Sequence, residues 1–436
     1  MLKYKTARFS ILLIIVFSIF SLSNAMAQIK WSVLTTNGSW PGLSDPRAIF
    51  IPGDTSHVIL GYVTEEGAIA SMLFNTKTKH VQQALLQMGT KTENISNPAF
   101  VQLPDSSFMA FFQQTHSQNT ILCRGKIVNK LLRWQDADTI YSPPGEKKIT
   151  EEDHTELVPV LLSEEKNKLF LFKQKNNLSI TFTTSNDKGK TWSDSKNIFS
   201  NKKKRSKNEF IVKYFSDGNS KVHLVFSDSS NPVKPNNIYY TYYSNGAFYR
   251  VDGKKICTIN QLPFDITKAT CLYEAKKSKQ AAFPADIVAD PTGNPTVAYV
   301  KNNESNQASY HYCWYDGKKW KDNLVGIVGS KMEKNNPING INLSGGITLS
   351  PNSKHTLYVS QKTGSAFEIE KRELNTANDT WKTTVITSNS QSSNILPYTI
   401  KSVPGSEGTI LLWIMKSNYP EGNSFKSAIK LFTDKK

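Results

Sequence analysis

Short runs of β-branched and aromatic residues recur along almost the whole chain, and hardly any segment shows the 3.6-residue periodicity of an amphipathic helix. Gly, Asn, Asp, Ser and Pro separate these runs, as expected for strands joined by tight turns. The runs form seven sets of three or four strands, which begin near His57, Pro98, Val158, Phe210, Pro284, Ser344 and Pro397. Sets of roughly 40–75 residues are typical of propeller blades. The sequence therefore predicts an all-β, seven-bladed β-propeller, with six blades as the alternative.

The last set is one strand short of a complete blade. Residues 30–35, near the N-terminus, have the composition of a strand and are available to complete it. An unpaired sheet edge is an aggregation risk that proteins avoid. We therefore expect this N-terminal strand to pair with the last set and close the ring.

The stretch SNDKGKTW, residues 185–192, predicts a hairpin turn that ends in a large indole. Asp187 can accept hydrogen bonds from backbone N–H groups ahead of it, and Gly189 adopts a positive φ at low cost. Trp192 can then fill a gap between packed sheets. The motif contains no nucleophile or tuned acid, so we interpret this Asp box as structural. Residues 315–320 (YDGKKW) and 375–381 (NTANDTW) are degenerate copies of it.

Residues 1–27 have the pattern of a secretory signal peptide. A basic start is followed by the apolar run from Ile11 to Leu22 and by the small-residue cleavage site Ala25-Met26-Ala27. No later stretch is apolar for long enough to span a bilayer. The sequence predicts a secreted or periplasmic protein that is cleaved near Ala27, with residues 28–436 forming a single propeller domain and acting as a monomer.

The positive charge suggests an anionic partner outside the cell. The formal net charge is +17, and removing Lys3, Lys5 and Arg8 with the leader leaves +14. For an exported protein this charge suits an acidic polysaccharide or an anionic cell surface better than nucleic acid. A solvated lysine-rich surface is the alternative, and the run KKKRSK at 202–207 is typical of one.

The cysteines and histidines do not identify a metal or a cofactor, and the sequence leaves both unknown. None of the four cysteines stands at CxxC spacing, so a zinc knuckle is not indicated. An exported chain permits disulfides. Cys257 and Cys271 would close a loop of suitable length, but four cysteines allow three complete pairings and the sequence does not choose among them.

From Asp45 to about Tyr419 the chain resembles the BNR-repeat family of bacterial β-propellers, which includes ulvan-type polysaccharide lyases and rhamnosidases that cut rhamnose–glucuronate linkages. The resemblance covers nearly the whole mature chain. The matching stretches are NGSW (37–40), DPRAIF (45–50), NPAFVQLPDSSFMAFFQQTH (97–116), VPVLLSEEKNKLFLF (158–172), KYFSDGNSKVHLVFSD (213–228), NNIYYTYYSNGAFYRVDGKKI (236–256), IVADPTGNPTVAYV (287–300), YHYCWYDGKKW (310–320), LSGGITLSPN (343–352) and LLWI (411–414).

A lyase of this family must hold a uronate carboxylate with a cation, remove the C5 proton and assist the leaving oxygen. The resemblance implies four catalytic places, where this chain has Ile95, Glu156, Gln174 and Asn231. This chain retains the family's histidine at His116. The alternative role for His116 is structural, as a histidine at the end of a strand that is hydrogen-bonded to the backbone. The predicted catalytic residues are His116, Tyr214 and Tyr239, and the predicted substrate-binding residues are Lys173, Gln174, Lys213, Asn231 and Arg47.

Two further residues have open interpretations. Arg47 can clamp a ligand or form a salt bridge with Asp45, and the salt bridge is favoured. His154, in the pair Asp153-His154, lies one blade too late for the family's pattern, in a polar loop where histidine is usually solvated.

Three functions fit the sequence. The first is a lyase or glycosidase that acts on an acidic polysaccharide. The second is a non-catalytic propeller that binds glycans, since amides and the tyrosines at 238–243 suit sugar hydroxyls and apolar sugar faces. The third is a sialidase, which needs an arginine cluster. The mature chain has six arginines, of which only Arg47 is expected near an inner strand.

Overall fold

A computed structural model of the chain describes residues 31–40, 44–51, 54–88, 97–113, 119–140, 155–175, 179–200, 210–231, 234–302, 307–331, 345–401, 408–416 and 427–434. Seven antiparallel sheets follow one another along the chain, each with four or more strands. The protein is a seven-bladed β-propeller, as the sequence predicted.

The first three blades lie between residues 48 and 197. Strand β1 (Ser32–Thr35) belongs to the seventh blade. Blade 1 contains β2 (Ala48–Ile51), β3 (Asp54–Val63), β4 (Ile69–Asn75) and β5 (Val81–Gln87). Blade 2 contains β6 (Ala99–Gln102), β7 (Phe108–Gln113), β8 (Thr120–Val128), β9 (Leu131–Trp134) and β10 (Asp138–Ile140). Blade 3 contains β11 (Thr155–Leu162), β12 (Lys168–Lys175), β13 (Ile180–Ser185) and β14 (Lys196–Asn197), with a 3-10 turn at Ser163–Glu165.

Blade 4 is the largest. Strand β15 (Phe199–Ser200) precedes it and pairs in parallel with β21 (Phe264–Asp265). The blade itself contains β16 (Val212–Ser216), β17 (Lys221–Ser227), β18 (Ile238–Ser244), β19 (Ala247–Tyr249), β20 (Lys255–Thr258) and β22 (Thr270–Tyr273). Two 3-10 turns, Ile259–Gln261 and Ile266–Lys268, and one helical turn, α1 (Ala275–Ser278), complete this region.

The last three blades complete the ring. Blade 5 contains β23 (Ala282–Ala289), β24 (Pro295–Asn302), β25 (Gln307–Tyr315) and β26 (Trp320–Lys331). Blade 6 contains β27 (Ile347–Leu349), β28 (Thr356–Thr363), β29 (Ala366–Asn375) and β30 (Thr380–Val385). Blade 7 contains β31 (Ser393–Thr399), β32 (Thr409–Lys416) and β33 (Ser427–Asp434) together with β1.

The first blade begins earlier than the sequence pattern indicated. His57, where the first set was predicted to begin, lies in β3, and the inner strand of this blade is β2. Strand β2 has only four residues and pairs with β3 from Ala48↔Leu60 onward. A run this short is hard to recognise as a strand from periodicity alone.

The core of the propeller lies between neighbouring blades. Each sheet packs against a sheet on both sides, so both faces of the central strands are apolar. Between blades 3 and 4, for example, Phe170, Phe172 and Phe182 form one buried cluster with Phe226 and Tyr243. Burial on both faces explains why the strands appear in the sequence as continuous apolar runs rather than as alternating ones.

The N-terminal strand closes the ring, as predicted. Strand β1 pairs antiparallel with β33, and Ser32 lies opposite Leu431. Just beyond β1, Gly38 N–H donates to the Ser427 carbonyl at 3.1 Å, and Ser427 Oγ donates to the Gly38 carbonyl at 2.8 Å. Residues from the two ends of the chain therefore complete one sheet. The predicted segment also includes residue 30, which lies outside the described residues.

The Asp box has the turn geometry that the sequence predicts. Asp187 accepts hydrogen bonds from Thr191 N–H at 2.9 Å and from Thr191 Oγ1 at 2.6 Å, and Ser185 Oγ accepts one from Gly189 N–H at 2.8 Å. Gly189 has a φ of +76°, and a Cβ there would lie 2.9 Å from Met109 Cε in blade 2. This position therefore needs glycine both for its conformation and for the close approach of the next blade.

Tryptophans at these turns join one blade to the preceding one. Trp320 packs edge-on against Tyr240 of blade 4, with ring centroids 5.7 Å apart. Trp381 packs in the same way against Tyr312 of blade 5, also at 5.7 Å, and its indole N–H donates to the Leu324 carbonyl at 2.9 Å. The degenerate copies therefore make the kind of contact that was expected of the Asp box.

All four cysteines, Cys123, Cys257, Cys271 and Cys313, are free thiols, so Cys257 and Cys271 do not form a disulfide in this structure. Burial raises the pKa of the Cys123 and Cys271 thiols to about 11, with nearby carboxylates adding to the effect.

Among the described residues, no helix is long and apolar enough to cross a membrane. The signal peptide predicted at 1–27 lies outside the described residues.

Candidate functional site

The inner strands of the seven blades surround a central channel. The channel contains a cavity of about 360 Å³ whose lining includes residues from the inner strand of every blade. The polar residues of this lining are Asp45, Arg47, Gln102, Lys213, Tyr214, Ser216, Asp286, Thr348, Tyr398 and Lys401. Function in propellers usually resides in this channel and in the loops around it.

A short segment, Ser44–Arg47, runs along one end of the channel and contacts three blades. Asp45 N–H donates to the Leu157 carbonyl of blade 3 at 3.1 Å, and the Pro46 carbonyl accepts from Phe100 N–H of blade 2 at 2.9 Å. The Arg47 carbonyl accepts from Gly61 N–H of blade 1 at 2.8 Å. The backbone of this segment is therefore fixed, and its two charged side chains line the channel.

Arg47 forms a two-pronged ion pair with Asp45. Its Nε lies 2.9 Å from Asp45 Oδ1, and its Nη2 lies 3.3 Å from Asp45 Oδ2. The guanidinium carbon lies 4.5 Å from the ring centre of Tyr398 and 5.3 Å from that of Trp40. The Arg47 side chain is 6% exposed and that of Asp45 is 27% exposed. Of the two interpretations of Arg47, the structure shows the salt bridge.

The charges in the channel set the ionisation of Asp45. Burial acts to raise the pKa of this carboxyl, but Arg47, Lys213 and Lys401 together hold it below its usual value. Burial acts in the opposite sense on Arg47, and the net effect of the Asp45 carboxylate and its hydrogen bond is to raise the pKa of the guanidinium. Asp45 and Arg47 are therefore both charged at neutral pH.

A second ion pair joins blades 5, 6 and 7. The Asp286 carboxylate of blade 5 accepts hydrogen bonds at 2.8 Å from both Thr348 Oγ1 and Leu349 N–H of blade 6. It also binds Lys401 Nζ, which follows the inner strand of blade 7. Because its oxygens are well satisfied, we interpret Asp286 as a structural link between blades.

Lys213 and Tyr214 of blade 4 are among the polar groups of the lining that are unpaired within the described residues, which also include Gln102 Oε1. Lys213 is half-buried and forms no hydrogen bond or ion pair within the part of the chain that the structure describes. The Tyr214 hydroxyl is buried and lacks a hydrogen-bond partner among the same residues. Burial, with a contribution from Glu156, raises the pKa of Tyr214 well above its usual value. Tyr214 is therefore a neutral phenol that can donate a hydrogen bond, and its raised pKa makes it a weaker acid than an ordinary tyrosine.

The structure brings together three of the predicted site residues and places the others elsewhere. Arg47, Lys213 and Tyr214 line the channel. Lys173 and Gln174 lie near the end of β12, and Gln174 Nε2 donates to the Phe210 carbonyl at 2.9 Å, which gives this buried amide a structural contact. His116 and His154 lie outside the described residues.

The two remaining predicted residues lie in blade 4, outside the channel lining. Tyr239 lies in β18, stacks on Phe226 and accepts a hydrogen bond from Asn237 Nδ2 at 3.0 Å. Burial raises the pKa of Tyr239 to about 12. Asn231 follows β17 and accepts a hydrogen bond from Lys234 N–H at 3.2 Å. Neither Tyr239 nor Asn231 is part of the channel lining that contains Arg47.

Sequence reasoning missed Asp286, Tyr398 and Lys401. Asp286 and Tyr398 each follow a proline in an inner strand, and the register shifts between Pro284 and Asp286 and between Ile395 and Tyr398. Proline inside a strand often marks a bulge, and a bulge re-aims the side chains beyond it. The prolines were the available signal. In the described part of the chain, no group of three or more His, Cys, Asp or Glu side chains could hold a metal ion.

Comparisons with known proteins agree with this architecture. Residues 146–326 match the model of the BNR repeat-containing family. A polysaccharide lyase of family PL25, an ulvan lyase solved bound to -[GlcA(1-4)Rha3S]-, superposes with a TM-score of 0.65 at 11% identity, covering 93% of this chain and 96% of that one. The polysaccharide lyase Uly1 superposes with a TM-score of 0.56 at 11% identity, covering 92% of each chain. A search of curated proteins gives no match. Residues 146–326 of this chain are therefore similar to the BNR repeat-containing family, and the chain shares the propeller fold of these lyases.

Proposed function

We propose that this propeller acts on a uronate-bearing polysaccharide, which it binds in the central channel and cleaves by β-elimination. The observation that carries the proposal is Lys213, a half-buried cation in the channel that has no ion-pair partner in the described residues, although its charge acts on Asp45. A glycan carboxylate would supply that partner, and the adjacent Tyr214 hydroxyl would gain a hydrogen-bond acceptor. Burying an unpaired cation is costly, so a bound anion would be favoured at this place.

The expected chemistry follows from the ionisation of these two residues. In β-elimination a base removes the C5 proton of the uronate, a C4–C5 double bond forms, and the bond from C4 to the leaving oxygen breaks. Lys213 would neutralise the carboxylate and so make the C5 proton more acidic. Tyr214 stays protonated at neutral pH and would supply a proton as negative charge develops on the leaving oxygen. His116 remains the predicted base.

The fold supports the choice of ligand class. The ulvan lyase with a similar fold was solved bound to -[GlcA(1-4)Rha3S]-, which makes glucuronate-bearing glycans the first ligands to test. The excess of lysine supports an acidic partner as well, because it attracts anions over long distances. An extracellular or periplasmic location, as the N-terminal pattern predicts, would bring the protein into contact with such polymers.

A non-catalytic glycan-binding protein is the second candidate. The raised pKa values of Tyr214 and Tyr239 favour it, because neither phenol is a ready base at neutral pH. Such a protein would use the same channel and the same Lys213 but would leave the polymer intact.

The test is incubation of the full chain with glucuronate-bearing, galacturonate-bearing and neutral polysaccharides. Ultraviolet absorbance of unsaturated uronate would show a lyase, and release of reducing ends without that absorbance would show a hydrolase. Binding by calorimetry without either product would show a binder. If no acidic glycan binds, the proposed function is wrong.

The variant Lys213→Ala places the activity in the channel. Lys213→Ala should weaken the binding affinity for acidic glycans by about tenfold, since it removes one partly buried charge, and should leave the affinity for neutral glycans unchanged. Lys188→Ala is the matched control, because Lys188 forms an exposed ion pair with Asp105 on the Asp box. Equal effects of the two variants would argue against the channel as the binding site.

A further inference from the structure

The Asp45 carboxylate lies where an acidic ligand would be expected to bind. It occupies two donors of Arg47, and the guanidinium is held in place by Tyr398 and Trp40. A planar guanidinium fixed in this way is a preformed site for a carboxylate, which it recognises through two parallel hydrogen bonds. In this structure the carboxylate comes from the chain itself, two residues away.

The Asp45 side chain is accessible from the channel, whereas Arg47 is not. The Asp45 side chain is 27% exposed and that of Arg47 is 6% exposed. The backbone on either side of Asp45 is fixed by hydrogen bonds to blades 2 and 3, so the carboxylate can leave Arg47 only by a change in its own side-chain torsions. A ligand in the channel would therefore meet Asp45 before it could reach the guanidinium.

The two acidic side chains of the lining differ in what they do. Asp286 accepts from Thr348, Leu349 and Lys401, which ties three blades together. The side-chain bonds of Asp45 within the described residues go to Arg47 alone. Removing the charge of Asp45 would thus leave the contacts between blades in place and leave the Arg47 guanidinium without its ion-pair partner.

We propose that Asp45 is a specificity-determining residue that occupies the carboxylate site of Arg47 and excludes small organic acids from the channel. The inference rests on the proposed function and adds to it a reason why the channel selects a polyuronate over a single uronate. A single uronate must displace the Asp45 carboxylate from Arg47, and the free energy that this costs makes its binding weak. A polyuronate gains contacts along the channel and with Lys213, and these offset the displacement. The lowered pKa of Asp45 keeps this internal competitor ionised at neutral pH.

The experiment measures binding of sodium glucuronate and of glucose to the full chain by calorimetry. Asp45→Asn should raise the binding affinity for glucuronate by about tenfold relative to the wild type, because one competing charge is removed. The response to glucose should not change. Asp105→Asn is the control. It also removes a carboxylate from an ion pair, but its partner is Lys188 of the Asp box, outside the channel lining. Glucuronate binding to Asp45→Asn that is unchanged, weaker or undetectable overturns the inference.

A second measurement on the wild-type chain covers the case in which Asp45→Asn does not fold. The Arg47 Nε–H resonance, assigned by its loss in Arg47→Lys, should shift on saturation with a glucuronate-bearing polysaccharide, which displaces Asp45, and should stay in place with monomeric glucuronate at the same uronate concentration. A resonance that stays in place when the polysaccharide is bound, or that shifts equally with both ligands, overturns the inference. Failure of the proposed function shows up separately, as an absence of polysaccharide binding by the wild type, and leaves a gain of glucuronate binding in Asp45→Asn interpretable.

Discussion

The indole of Trp192 packs edge-on against the ring of Phe111, with centroids 6.1 Å apart and planes at 86°. Trp192 is the last residue of the Asp box of blade 3, and Phe111 lies in the second strand of blade 2. Near this contact, Lys188 Nζ lies 2.8 Å from Asp105 Oδ2, and Arg124 Nη2 donates to the Gly189 carbonyl at 3.1 Å. The Asp box is therefore an interblade joint, at a distance from the channel lining.

Trp192→Ala should destabilise the protein and leave glycan binding intact. The substitution removes a large, partly buried ring from the contact between blades 2 and 3, at a cost of about 3 kcal/mol. The measurement is the free energy of unfolding in denaturant, together with binding of the acidic glycan. A variant that unfolds like the wild type yet loses binding would show that the Asp box is functional.

Leu34→Asp should prevent ring closure, whereas Val33→Asp should be tolerated. Both residues lie in β1, but Leu34 is 7% exposed and Val33 is 46% exposed. A charge at Leu34 would be buried against blade 7, and the displaced strand would leave an open sheet edge. Soluble yield and melting temperature measure the effect. Equal behaviour of the two variants, or normal melting after deletion of residues 28–36, would contradict closure by β1.

His223 should make the protein less stable as the pH falls from about 6.5 to about 4. Burial, helped by the charge of Lys221, lowers the pKa of His223 to about 4, although Asp217 and Asp290 act to raise it. Its Nδ1 lies 2.6 Å from the Tyr240 hydroxyl. The unfolded chain therefore binds the proton more readily within this range, and up to about 3 kcal/mol is lost on acidification.

Denaturant unfolding of His223→Gln across the same range tests this expectation. The variant should show a flatter dependence of unfolding free energy on pH than the wild type. His80→Gln, at an exposed position, is the control and should leave the dependence unchanged. An identical slope in all three proteins would mean that His223 does not titrate as described.

Tyr214→Phe should separate catalysis from binding. The hydroxyl has no partner in the described residues, so its removal should leave the melting temperature within about 1 °C of the wild type. If Tyr214 is the proton donor, kcat should fall by about 100-fold while KM stays nearly constant. Unchanged kcat in a chain with lyase activity would exclude Tyr214 as the acid, and loss of binding alone would favour a non-catalytic role.

The sequence by itself determined the strand sets, the turn chemistry of the Asp box and the closure of the ring. These features depend on local hydrogen bonding and on apolar patterning. Asp187, Gly189 and Thr191 form their turn from neighbours within a few residues. The apolar runs indicated strands because burial on both faces of a blade demands them.

Only the tertiary structure decided which polar side chains meet in the channel. Arg47 lies beside Tyr398, although more than 300 residues separate them in the chain. Asp286 and Tyr398 lie beyond bulges, and a shift of one residue in a strand moves a side chain to the other face. Single-sequence patterns do not fix such shifts, because the bulge is stabilised by contacts with neighbouring blades. For that reason we predicted Lys213 and Tyr214 from the sequence, whereas Asp286 and Lys401 became apparent only in the folded chain.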